Sequence, residues 1–347
     1  MKINFLKIII IFFLIIFFGS CSITKNLDVN DYILEKNRLT VNDKLIQSDS
    51  LIRLITQEQS KKFFGIPIQS LIYQSAKKNS DSIFSLWEQN KNKRKGLKQF
   101  LSEKQFLQLK NYYKNWNEWK FKNGKPIALI DSLKINQSLN NFKSYFQNIG
   151  YLENIVEFKL LKNNLREKYA TVDYIIKTGP QYYIGDVSLV TNSKIIDSIF
   201  KNDIKKSFLK KNGVFKTINF QKERDRINSL MKNNGIYNFQ INSIFFDVEI
   251  DSTREVYTLP VKIIVEGDDY KKHNIKEINF INVKNSKEYI EKSFLTNQIE
   301  FRENEPFNDS LRSKTIQNLN NLDLFSFPSI GYESVSYTHL RAHETEE

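Results

Sequence analysis

The spacing of large apolar and polar positions repeats itself along the chain. Ile175-Ile176-Lys177-Thr178-Gly179 is followed by a short polar link and then by Ile184-Gly185-Asp186-Val187-Ser188-Leu189. The same pattern returns as Ile263-Ile264-Val265-Glu266-Gly267, a second polar link, and Ile275-Lys276-Glu277-Ile278-Asn279-Phe280. In each case a strand stops at a glycine and a new strand opens with a period of two. Self-similarity over several tens of residues marks stacked supersecondary units, so Gly179 and Gly267 read as unit boundaries.

Between these boundaries the periods predict an order of elements. Residues 182–190 form a strand. Ile195, Ile196, Ile199, Phe200 and Ile204 fall at helical spacing over 193–208, and Ile227 and Leu230 place a second helix over 220–231. Asn233-Asn234-Gly235 ends that helix as a left-handed cap. Ile244, Phe246, Val248 and Ile250 then alternate with Phe245, Asp247 and Glu249, and Tyr257, Leu259, Val261, Ile263 and Val265 form a last strand. The unit is β-α-α-β-β, with a hairpin connection at 251–254. Pro260 lacks an amide, so regular pairing is expected to begin after it.

An earlier unit closes in the same way, with a strand at 32–41, a helix at 132–148 presenting Leu139, Phe142, Tyr145 and Phe146, Gly150 as its cap, and strands at 151–161 and 168–177. The insertion within it, about 61–130, is rich in aromatics (Phe63, Phe64, Tyr73, Phe84, Trp87, Tyr112, Tyr113, Trp116, Trp119) and reads as mostly helical, with those rings as its core. A third unit has a strand at 275–283, a helix at 286–295, Glu305-Pro306-Phe307-Asn308 leading into a second helix, and a strand beginning near Phe325. Its closing strand is expected to be missing. The fold class is therefore α+β: tandem β-α-α-β-β repeats, the first with a large insertion.

The ends of the chain carry other signals. Lys2 and Lys7 precede an apolar run at 8–18, followed at once by Gly19-Ser20-Cys21. The run is too short to span a hydrocarbon core of ~30 Å, and it reads as a cleaved leader, residues 1–20. Gly19-Ser20 before Cys21 resembles a lipobox, which makes Cys21 the acylated first residue of a tethered protein. Residues 336–347, with the string SYTHLRAHET, resemble translated adapter sequence and are set aside as a non-native tail. The expected organisation is a leader at 1–20, repeats at 21–179, 180–267 and 268–335, the last incomplete, and the tail at 336–347.

Composition refines this picture. At 40% hydrophobic and 13% aromatic the chain can bury cores. A net charge of +13 points toward acidic partners, but the basic residues are dispersed among Asn, Ile and Phe, and only 91–95 is a dense run, read as a solvated loop. Export argues against nucleic acid. The single cysteine excludes an intramolecular disulfide. No metal-ligand spacing, nucleophile motif or phosphate loop occurs, so neither an enzyme nor a cofactor site is expected. His273, in a polar link beside Lys271-Lys272, reads as solvated, and Asp268-Asp269 as turn residues.

Gly213-Val214-Phe215, Arg226-Ile227, Gly235 and Tyr237, Gly150-Tyr151 and Glu305-Pro306-Phe307-Asn308 together resemble the POTRA repeats of the BamA/TamA family of outer-membrane assembly proteins. Cys21, Thr24-Lys25, the stretch Asn37-Arg38-Leu39-Thr40-Val41-Asn42-Asp43-Lys44, Phe64-Gly65-Ile66-Pro67, Trp87 and Gly124-Lys125-Pro126-Ile127-Ala128-Leu129-Ile130-Asp131 are similar to the Bacteroidetes branch, whose members begin as lipoproteins with an enlarged first repeat. The resemblance implies a periplasmic scaffold at the outer membrane, ahead of a barrel that this sequence does not contain. It would bind unfolded β-barrel proteins and other assembly subunits, with its lipid on the periplasmic face. Strand addition is then expected along an edge formed by Asn238, Gln240, Asn242, Ile244, Phe245, Asp247 and Glu249. The alternative is a structural or adhesive envelope lipoprotein built of the same repeats without a barrel, which the gene sequence past Glu333 would discriminate.

Overall fold

The computed structural model describes residue 24 and residues 27–89, 102–250, 257–281, 291–325, 327–336 and 339–346. Cys21, the basic run at 91–95, the hairpin connection at 251–254 and the start of the helix expected at 286–295 lie outside these. Two compact units result, Met1–Ser144 with Asn154–Thr178, and Tyr145–Glu153 with Gly179–Glu347.

The first unit is built on strands β1 (Ile33–Val41), β2 (Lys44–Leu45), β3 (Ile155–Lys162) and β4 (Tyr169–Lys177), in the order β2-β1-β4-β3. β1 runs parallel to β4, and β3 antiparallel to it. Helix α5 (Ser132–Asn148) starts at Asp131, whose carboxylate accepts the Leu133 N–H at 2.9 Å. Its Ile135 and Phe142 are buried, as are Leu34, Val172, Tyr174 and Ile176, all at most 1% exposed, and the Phe142 ring meets Tyr174. Each such side chain contributes roughly 1.5–3 kcal/mol by leaving water.

The insertion supplies α1 (Asp49–Ile52), α2 (Ile68–Ser75), α3 (Ser80–Gln89) and α4 (Glu103–Asn123). Helix α4 begins with a reciprocal Ser102–Gln105 capping box and buries Phe106 and Asn117. Phe106 meets Phe84 and Trp87, while Phe121 meets Tyr73 edge-on. The aromatics of this segment are not all core, as the sequence reading had them. Phe63 and Phe64 are exposed in the tight turn closed by Phe63 and Ile66, and Tyr112, Trp116 and Trp119 are exposed because α4 turns one face to its neighbours and the other outward.

The second unit holds two successive β-α-α-β-β repeats. One comprises β5 (Tyr183–Thr191), α6 (Lys194–Asp203), α7 (Thr217–Asn233), β6 (Ile244–Val248) and β7 (Thr258–Val265). The next comprises β8 (Asn274–Ile281), α8 (Lys292–Thr296), α9 (Asp309–Asn321), β9 (Pro328–Ser336) and β10 (His339–Glu346). The sheets are ordered β5-β7-β6 and β8-β10-β9, so each first strand is parallel to the last of its repeat, and each second strand lies at an edge. The α+β class and the tandem repeat order expected from the sequence are what the chain has. Ile184, Ile196, Phe200, Ile227, Met231, Ile236, Phe239, Ile244, Val261 and Ile263 form one core.

Several expectations are corrected. Helix α6 stops at Asp203 and tightens into a 3₁₀ turn, Ile204–Lys206, which lets Leu209 reach the core at 3% exposure. The third repeat is not left open. β10 occupies the stretch set aside as a tail and pairs with β8 and β9, since a ladder is made by main-chain groups and accepts almost any side chains. His273 is buried at 7% instead of solvated: its N–H bonds Gly235 O at 2.8 Å, its Nδ1 lies 3.0 Å from Lys271 O, and its ring meets Tyr237. Pro260 meets the expectation on one side only, since β5 already pairs Thr258 and Leu259 ahead of it. The β5–β7 register shifts opposite it, and β6 pairs β7 only from Val261 onward.

Candidate functional site

Each repeat ends in a sheet with two outer edges, and the chain treats them differently. The edge of the first strand is bridged by the segment that enters the second helix. In the first repeat Leu34 N–H donates to Ala128 O and Ile130 N–H to Tyr32 O, both at 2.8 Å. In the second, Ile184 N–H donates to Gly213 O at 2.8 Å and Phe215 N–H to Tyr182 O at 2.9 Å. In the third, Ile275 N–H donates to Glu305 O at 2.9 Å and Phe307 N–H to His273 O at 2.8 Å. The residues between, Leu129, Val214 and Pro306, bridge Ile33, Tyr183 and Asn274 in antiparallel fashion. Pro306 fits because this central pair exchanges no N–H bond. These tripeptides stand out in the sequence, but their shared task of closing an edge does not, since it appears only when residues 30 to 100 apart meet.

The opposite edge is the second strand: β3, β6 or β9. Each has a strand on one side only among the described residues. In β6 the register with β7 is fixed by Glu266 N–H donating to Ser243 O at 3.0 Å. Antiparallel pairs alternate, so Phe245 and Asp247 turn their amides toward β7, and Ile244, Phe246 and Val248 turn theirs to the open side. The Ile244 amide is already bonded to Ile241 O in a 3₁₀ turn. The donors facing outward are therefore those of Phe246 and Val248.

Of the residues expected to form this edge, Ile244, Phe245 and Asp247 lie on β6. Asn238, Gln240 and Asn242 precede the strand in the turn and 3₁₀ segment, and Glu249 follows it. The strand is shorter than its alternation implies because Ile236 and Phe239 are drawn into the core at 0% and 1% exposure, which bends the chain out of extension. Asn238 instead donates its side-chain amide to Asp269 O at 3.4 Å. Asp247 faces Lys262 across the ladder. Glu249 also bonds Lys262, which holds that ammonium above its ordinary value.

β3 offers a longer edge, which the expected site residues do not include. Its register with β4 continues from Asn163 N–H to Tyr169 O at 2.9 Å, so Val156, Phe158, Leu160 and Lys162 turn their main-chain groups outward. Ile155, Phe158, Leu160 and Leu161 are 37–55% exposed, and both faces of the strand carry apolar surface. The expected acylation site, Cys21, lies outside the described residues. Among those residues no helix is long and apolar enough to cross a membrane, and no cluster of three or more His, Cys, Asp or Glu could hold a metal ion.

No protein-family model matches the chain, and no curated protein does. Among solved structures, it is similar to POTRA domains 3–5 of Haemophilus influenzae BamA, at 14% identity over 64% of this chain and 86% of that one, with a TM-score of 0.38. BamA from Haemophilus ducreyi lacking POTRA domains 1–3 aligns at 13% identity over 48% of this chain and 29% of that one, with a TM-score of 0.39. The N-terminal domain of Omp85 from Thermosynechococcus elongatus aligns at 12% identity over 64% and 87%, with a TM-score of 0.21. The repeat fold itself rests on the strand pairing described above.

Proposed function

We propose that this chain is the periplasmic POTRA portion of an outer-membrane protein assembly factor, and that it binds unfolded β-barrel proteins by strand addition. One observation carries the reading: in every repeat the first-strand edge is bridged by its own chain, while the second-strand edge has no strand beside it among the described residues. An extended segment adds to such an edge through main-chain hydrogen bonds, which suit many clients of unlike sequence. The exposed apolar side chains of β3 add affinity, and Asp247 and Glu249 at β6, with Lys262 of β7 beside them, discourage indiscriminate association. Repeat boundaries near Gly179 and Gly267, acylation of Cys21, attachment to the periplasmic face of the outer membrane and contact with other assembly subunits belong to the same proposal.

The test uses proline at positions chosen by the register. Val248→Pro removes an outward amide and leaves the β6–β7 bonds in place, so photo-crosslinking from β6 to an unfolded barrel protein drops while the protein stays folded. Asp247→Pro removes an amide that bonds β7 and lowers stability by roughly 3 kcal/mol. Combining Val248→Pro with Phe158→Pro in β3 removes an outward donor at both edges. If crosslinking persists at the parent level in that folded double variant, strand addition is wrong.

A further inference from the structure

Helix α4 carries a second surface, unrelated to the strand edges. Tyr112, Trp116 and Trp119 recur at i, i+4 and i+7 and so share one face of the helix. They are 65%, 44% and 45% exposed. Their rings stack nearly parallel: Trp116 lies 4.9 Å from Trp119 and 6.4 Å from Tyr112, each pair tilted by 6°. Leu109, 38% exposed, extends the stripe toward the helix start. The opposite face is fixed to the rest of the unit through Phe106, Tyr113, Asn117 and Phe121, so the stripe is held outward by a packed helix.

The charges around the stripe share one sign. The helix contains five lysines and two glutamates. At 100° per residue Lys120 falls on one flank of the aromatic row, and Lys104 and Lys122 fall on the other. Glu103 and Glu118 lie away from the row, and Glu118 is near Lys114. Lys120 reaches Ser75 O at 3.3 Å and lies 5.8 Å from the Trp116 ring. Amphipathic aromatic rings bordered by lysines match the acyl–headgroup boundary of a bilayer, where Trp and Tyr settle and cations meet lipid phosphates. A sugar platform fits less well, because the Trp116 ring already stacks on Trp119 and has the Lys120 ammonium over it.

We infer that the Tyr112–Trp116–Trp119 face of α4 rests on an anionic phospholipid surface. This orients the inserted helical segment against the membrane, independently of client binding. With the chain from residue 21 onward carrying Cys21→Ser, so that no acyl chain contributes, co-sedimentation should show binding to phosphatidylglycerol-containing vesicles and little to pure phosphatidylcholine. Binding should weaken as salt rises. Trp116→Ser with Trp119→Ser should lower partitioning roughly tenfold or more. Lys104→Gln with Lys122→Gln keeps the rings and should lower it by up to roughly thirtyfold at low salt. Circular dichroism checks that both variants keep their helix. The inference is overturned if the parent does not bind anionic vesicles, or if both folded variants bind as the parent does. It is also overturned if soluble oligosaccharides, but not vesicles, change the tryptophan emission.

Discussion

The helical layer over the β5-β7-β6 sheet is tied together by one buried ionic cluster, and removing its cation should be costly. Glu223 on α7 is 0% exposed. Its carboxylate takes the Arg226 guanidinium in a fork, at 2.7 Å and 3.0 Å, and accepts the Phe208 N–H at 2.9 Å. The third arm of Arg226 reaches Asp203 at 2.7 Å, at the end of α6. Burial pulls the guanidinium toward losing its proton, but the bonds from Glu223 and Asp203 outweigh this and hold its pKa above the ordinary arginine value. Arg226→Met keeps an apolar stem near Phe200 yet leaves Glu223 as an enclosed charge with one amide partner. Breaking a buried pair on one side costs about 3–5 kcal/mol. For a unit of this size the melting temperature should fall by about 6–20 °C. Adding Glu223→Gln removes the stranded charge and keeps an acceptor for Phe208, so the double variant should lose only about 1–2 kcal/mol. Urea unfolding with the slope monitored measures both. A cost under about 1 kcal/mol for Arg226→Met, or a double variant no better than the single, would refute the reasoning.

Three further outcomes follow from other features. Burial, with the hydrogen bond to Glu153 as second cause, pushes the Tyr182 hydroxyl up to about 12, so its contribution to stability is complete below the ordinary value of 10.0 and is lost as pH climbs through the folded value. Tyr182→Phe should therefore flatten the alkaline limb of thermal stability between those two values, as scanning calorimetry would show. Gly150→Ala should destabilise by about 2 kcal/mol or more, since φ is +97° and a methyl group would sit 2.7 Å from Phe215 O. Gly65→Ala, at +79° in open space, should cost only about 1 kcal/mol, and equal losses in chemical unfolding would contradict this difference. Cys21→Ala should abolish acyl labelling and release the protein from membranes; unchanged labelling excludes Cys21 as the anchor.

What was legible in the sequence followed from short-range periodicity. The alternation of Leu259, Val261, Ile263 and Val265 places one face of β7 in the core, and Gly235 and Gly267 take the positive φ that a strand or helix stop demands. What was illegible came from partners far away in sequence. The polar neighbours Lys271, Lys272 and Asn274 disguise His273, which occupies the position that Tyr182 holds one repeat earlier: each donates its amide to the glycine after a second helix, His273 to Gly235 and Tyr182 to Gly150, both at 2.8 Å. The alternation over 244–250 is real in the sequence, yet the residues before it do not extend the strand, because Phe239 reaches the core by bending, and β6 is five residues long. On α4, apolar residues occupy both the packed and the open face, so no single stripe announces which side is buried.

The asymmetry between the two sheet edges would confine the proposed strand addition to one side of each sheet. Closing the first-strand edge takes main-chain hydrogen bonds and no particular side chain, which is why Ala128-Leu129-Ile130, Gly213-Val214-Phe215 and Glu305-Pro306-Phe307 all perform the task. Because this closure comes from the residues entering the second helix, it forms with the repeat and needs no client. The second-strand edge has no strand beside it among the described residues; in β3 and β6 its main-chain groups are directed outward, whereas in β9 the Ile330 and Tyr332 carbonyls accept from Arg312 and Tyr237. Under the proposed function, strand addition would take its register from the amides of Phe246 and Val248 in β6 and of Val156, Phe158, Leu160 and Lys162 in β3.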